Sequence, residues 1–242
     1  MIAKIKTQHV TNLFVLYVIY FSVMQAVHYD EINYLSDSNY PFYFLIVGSL
    51  LSVITLFKKN FLTFLILLIV WSLNFWINPF AVNISTPVVG FFIILFMLQP
   101  LFTEKPKVFA VAVNALLIYM LARYFYFGIN KLGSEYWIDG TVVKNISSTI
   151  LARPVWSEIY VPKLVSITLS WIVILIETLS PLALLPKFRS KYLILLLALH
   201  IFIVIYLRFL QLNTPFIIGL FWFYLYEIEK RPHLNALEKL PV

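Results

Sequence analysis

Tyr192-Leu-Ile-Leu-Leu-Leu-Ala-Leu-His200-Ile-Phe-Ile-Val-Ile-Tyr-Leu-Arg208-Phe-Leu210 is an apolar run broken only by one histidine and one arginine. As a helix rising about 1.5 Å per residue it is about as long as the roughly 30 Å hydrocarbon core of a bilayer is thick. Seven further runs read the same way: His9–Val27, Pro41–Phe57, Phe61–Trp76, Ser85–Phe102, Val108–Asn130, Leu164–Leu185 and Thr214–Ile228. The expected fold class is therefore all-α, a polytopic transmembrane bundle of about eight spans.

Composition supports that reading. The chain of 242 residues is 62% hydrophobic and 12% charged, against about 45–50% and about 25% in a soluble domain. Too little polar surface is available to cover such a chain in water. Without cysteine it has no disulfide, no thiol nucleophile and no cysteine metal site. His28, Asp30 and Glu31 are too sparse a set for a metal site, so no metal is expected. The net charge of +7 points to membrane topology and not to nucleic acid. Lys4, Lys6, Lys58, Lys59, Lys105, Lys107, Lys187, Arg189, Lys191, Lys230, Arg231 and Lys239 all fall at one end of the alternating spans. Basic residues favour the cytoplasmic side, so both termini are expected there and the Lys131–Lys163 connection outside. The first apolar run lacks a small-residue cleavage site and reads as a retained span. With no repeat and no long linker, residues 1–242 read as a single membrane domain.

The chemistry-bearing residues gather near that outer connection. In Arg123-Tyr-Phe-Tyr-Phe-Gly128-Ile-Asn-Lys131-Leu-Gly-Ser-Glu-Tyr-Trp137-Ile-Asp139-Gly140, an arginine-bearing helix approaches its end near Gly133. Gly128 suits close helix approach, and Arg123, Phe127 and Lys131 share one face. On spacing alone, Arg123 and Lys131 snorkel to the headgroups and Trp137 anchors at the interface. Thr141–Trp156 is weakly amphipathic and reads as an interfacial cap. Asn83-Ile-Ser85 and Asn145-Ile-Ser147 have the form of glycosylation sequons.

Tyr124-x-x-x-Gly128-x-x-Lys131-Leu132, followed by Trp137-x-x-Gly140, resembles the signature of the HTTM domain. This is the membrane domain of vitamin K-dependent γ-glutamyl carboxylase and its bacterial relatives. The likeness is best over residues 108–219, taking in Ser148–Trp156, Glu177–Pro181, Pro186–Arg189 and His200; similarity to DoxX-like quinone-linked membrane proteins is weaker. The resemblance implies that Lys131 is a catalytic base toward a quinone or hydroquinone, the implied cofactor or substrate. Two departures separate this chain from the carboxylase: Asn130-Lys131 stands where a lysine pair is expected, and Asn83-Ile84-Ser85 lacks a histidine. The large soluble portion that follows the carboxylase's membrane domain has no counterpart here either. The implied chemistry is thus action on a quinone-type or other amphiphilic substrate, not carboxylation of glutamate.

Glu177 and His200 interrupt apolar runs, and ionisable residues in such places are functional candidates. Counting about 1.5 Å per residue puts both in the inner half at similar depth, as an intramembrane polar pair. Arg123, Tyr124, Trp137 and Arg208 are the expected substrate-binding residues. Two functions compete: a membrane enzyme with Lys131 as base, and a non-catalytic factor in the maturation, export or immunity of a secreted peptide. The second implies a peptide or partner membrane protein beside the lipid bilayer; neither implies nucleic acid. A transporter is disfavoured for lack of an inverted repeat.

Overall fold

The apolar runs form helices because their backbone groups bond internally, while their side chains are apolar on nearly every face. The computed structural model describes residues 6–27, 40–77, 86–102, 106–147, 160–207 and 210–237, which are almost wholly helical. The α-helices are α1 (Thr7–Val27), α2 (Tyr40–Phe57), α3 (Phe61–Ile77), α4 (Thr86–Leu98), α5 (Pro106–Leu132), α6 (Glu135–Ile138), α7 (Thr141–Ser147), α8 (Lys163–Thr178), α9 (Pro186–Tyr206) and α10 (Leu210–Leu237). Eight of them coincide with the eight apolar runs. By length and composition, α5 and α9 are able to cross a bilayer, and shorter apolar helices lie within 46–57, 61–73 and 87–102.

Two compact units divide the chain, Met1–Leu116 and Leu117–Val242. In the first, α1 packs on α2 and α3, and α3 on α4. Its core is aromatic: the Phe14 ring lies 4.9 Å from Phe92 and 5.8 Å from Phe96, and Phe21 lies 5.2 Å from Trp71. While Val10, Phe14, Val18 and Phe21 of α1 are buried, Leu13, Leu16 and Tyr20 on its other faces are exposed. The tight link from α2 to α3 is held by a reciprocal cap. The Thr63 N–H donates to Asn60 Oδ1 and the Asn60 N–H to Thr63 Oγ1, satisfying N-terminal donors that the helix leaves open.

The second unit carries the expected site residues. Gly128 brings α5 against the end of α8: a Cβ there would lie 2.5 Å from both the backbone N and the Oγ1 of Thr178. Nearby, the Ser180 hydroxyl donates to the Leu121 carbonyl. Gly140, at φ +77°, turns the chain between α6 and α7, and a Cβ would lie 2.5 Å from the Ile167 backbone N. Only glycine fits both the conformation and the space. The turn lets α6 and α7 pack against α8; residues 148–156 of the expected interfacial cap lie outside the described residues.

The sixth run is not one continuous helix. It is α-helical to Thr178 and 3₁₀ from Ser180 to Leu184, because Pro181 supplies no N–H and its ring would strike the carbonyl four residues back. At the turn into α9, the Arg189 guanidinium donates to the Ala183 and Leu184 carbonyls and to Glu227 Oε1 at 2.9 Å. This joins α9 to α10.

Candidate functional site

Lys131 lies in the last turn of α5, and the fold sets two partners around it. Its ammonium donates to the Glu177 carboxylate and stands 4.8 Å from the centre of the Trp137 ring. The Glu177 side chain is 10% exposed and that of Lys131 18%. Glu177 sits in the last turn of α8, where carbonyl ends already point negative. The lysine offsets both that field and the desolvation of the carboxylate.

Lys131 and Glu177 line a cavity of about 160 Å³ whose remaining walls are mostly apolar. Leu169, Val173 and Glu177, four residues apart, form its α8 wall. Phe202, Ile203, Tyr206 and Leu207, from the end of α9, form the facing wall. Trp137, Val143 and Ile146 close it from α6 and α7. Asp139 keeps the start of α7 in place by accepting the Thr141 N–H at 2.9 Å. The Thr141 backbone N–H, then its hydroxyl, hold the Asp139 carboxyl below the usual carboxylate range.

His200 belongs to a separate network. Its Nε2 is 2.5 Å from the Tyr124 hydroxyl and its Nδ1 2.6 Å from Asn213 Oδ1, with the Phe216 ring stacked on it at 4.9 Å. An amide oxygen only accepts, so Nδ1 carries the proton and Nε2 accepts from the tyrosine. The expected Glu177–His200 pair is thereby corrected: each has its own partner. Lys131 and Tyr124 are seven residues apart on α5, so the two networks differ in depth by about 10 Å. Glu177 instead stands beside Lys131 in the last turn of α5, a level set by how the end of α8 meets α5 at Gly128 and not by a count from Leu164.

Of the expected site residues, the cavity unites Lys131, Trp137 and Glu177. Tyr124 is buried against His200 and does not line it. Arg123 also stands apart: its guanidinium donates to the Tyr119 hydroxyl at 2.7 Å and lies over the Tyr119 and Phe127 rings. Arg208, His28, Asp30, Glu31 and the Asn83 sequon lie outside the described residues, whereas Asn145 is exposed on α7. Sequence reading missed the apolar walls and Asn213. The four-residue spacing of Leu169, Val173 and Glu177 was a usable signal for one of those walls.

No protein-family model, no curated protein and no solved structure matches this chain.

Proposed function

We propose that this chain is a multi-pass integral membrane protein with about eight spans and cytoplasmic termini, and that its cavity receives a quinone-type or other amphiphilic substrate for acid–base chemistry. The observation that carries the reading is the Lys131–Glu177 ion pair set in the wall of an otherwise apolar cavity. Such a site offers a polar head group a donor and an acceptor side by side and gives the rest of the molecule apolar contact. At about 160 Å³ the cavity is smaller than the roughly 300–1,000 Å³ of a typical ligand pocket. It suits one ring or head group, with any tail outside. The HTTM resemblance stands with this proposal as the source of the quinone assignment and of the lysine's role.

The pair refines that role. A lysine ammonium donates three hydrogen bonds and accepts none, so in the ion-paired state Glu177 is the group able to take a substrate proton. The O–H bond of the substrate breaks, the proton goes to the carboxylate, and Lys131 stabilises the oxyanion left behind. If the resting proton lies on Glu177, Lys131 is the base and the carboxylic acid is the hydrogen-bond donor. Either way the working unit is the pair.

A second reading, a non-catalytic factor for maturation, export or immunity of a secreted peptide, is favoured by one observation: Lys131 is engaged by both Glu177 and Trp137, as a structural lysine would be. Complementation of a strain lacking the chain separates the two. Arginine keeps the charge but cannot give up its proton. Catalysis through a neutral lysine predicts that Lys131→Arg and Lys131→Ala both fail at normal protein levels. A structural or binding role predicts that Lys131→Arg complements, as does catalysis with Glu177 as the base. Glu177→Gln tells these two apart, since at normal protein levels it fails only where the carboxylate must take the proton. Glu177→Gln with full activity would exclude the pair from catalysis altogether.

A further inference from the structure

The cavity has a direction. Glu177 on the α8 wall and Leu207 on the α9 wall are buried, whereas Phe202 on the α9 wall is 44% exposed. Phe202 thus stands between the interior of the cavity and the outside of the second unit. Its ring stacks on Tyr206, with centroids 5.7 Å apart and planes 10° apart. The α9 surface beside it is apolar as well: Ile201 and Ile205 are both exposed. An entrance for a water-borne ligand would need polar side chains at the mouth to hold solvent, and the mouth carries phenylalanine. The charged groups lie on the cavity wall, and Glu177 is among its buried residues.

Building on the amphiphile-site reading, we propose that the cavity is filled sideways from the lipid phase, through the gap between α8 and α9 in which Phe202 stands. Its occupant is a lipid-dissolved molecule whose compact polar head enters first and meets Lys131 and Glu177, while its apolar remainder trails past Phe202. The Phe202–Tyr206 stack is the gate. Rotation of an aromatic side chain at a helix surface opens it without moving a helix.

The test uses the absence of native cysteine. Val173→Cys places a single thiol in the cavity wall, and Ile203→Cys provides a second position should the first fail to fold. The full chain is reconstituted in phosphatidylcholine vesicles and labelled with a long-chain N-alkylmaleimide or with a charged, membrane-impermeant maleimide. The alkyl reagent should label the cavity thiol several-fold faster than the charged one. Adding Phe202→Ala should raise the alkyl rate several-fold and Phe202→Trp should lower it, with the charged reagent slow throughout. Faster labelling by the charged reagent overturns lateral entry but leaves the amphiphile site standing. An alkyl rate that ignores both Phe202 variants overturns the gate. Failure of both reagents at both thiols in folded, membrane-embedded protein removes the cavity, and with it both proposals.

Discussion

Glu177 and Lys131, each one residue from the end of its own helix, form an ion pair in the wall of a largely apolar cavity. The lysine suits its place, since a cation in a last helical turn meets a negative helix end. The glutamate does not, and without Lys131 its charge would be buried against the carbonyls of α8.

Coupling between the two residues follows. Removing one partner of a buried pair costs about 3–5 kcal/mol, and less where water reaches it, as it does slightly here. Lys131→Ala and Glu177→Gln should each lower the thermal midpoint in detergent, and the double variant should lose clearly less than the sum. Charge exchange is sharper: Lys131→Glu or Glu177→Lys alone should prevent stable folding, and the two together should restore it.

The two crowded glycines give a graded prediction. Gly128→Ala overpacks α5 against α8, at a cost of about 1–3 kcal/mol. Gly140→Ala should cost more, because the backbone of alanine is also strained at positive φ. Gly133→Ala, where a Cβ would find ordinary contacts at 3.6 Å, serves as the control and should be close to neutral. Thermal midpoints of the three variants check the order.

Tyr124→Phe should destabilise the protein by about 1–3 kcal/mol by leaving the buried His200 Nε2 without its donor. Asn213→Leu should do the same from the other side of the ring. If Tyr124→Phe and His200→Phe combine additively in thermal denaturation, the hydrogen bond contributes nothing to stability.

Topology is tested with the same cysteine-free background. Ser134→Cys should react with impermeant maleimide added outside intact cells, and Lys191→Cys only after the inner face is opened. The reverse pattern would invert the proposed orientation.

Much of the helical layout was legible because about 20 consecutive apolar residues leave little choice of backbone structure. Pro181 marks the end of the α-helix in the sixth run, but it lies beyond Glu177 and carries no information on where that carboxylate stands. Gly128 was read correctly as a close-approach position. Which polar residues meet was not legible: Lys131 and Glu177 are 46 residues apart, and their pairing depends on how α5 meets the last turn of α8. Asn213, just beyond the end of α9, gave no sign that it would hold His200. The cavity walls were hidden for a simpler reason. Leucine, valine and phenylalanine look alike in a sequence whether they face lipid, core or ligand.

The most direct measurement of the central claim is quenching of Trp137, which lies on the cavity wall over Lys131. A short-chain prenylated benzoquinone is titrated into vesicles containing the protein, and the Trp137 signal is taken as wild type minus Trp137→Phe. The account predicts saturable quenching of that signal, lost when Val173→Phe fills the cavity while the fold is retained. Quenching that rises linearly with quinone in the bilayer, and is the same in Val173→Phe, would contradict it.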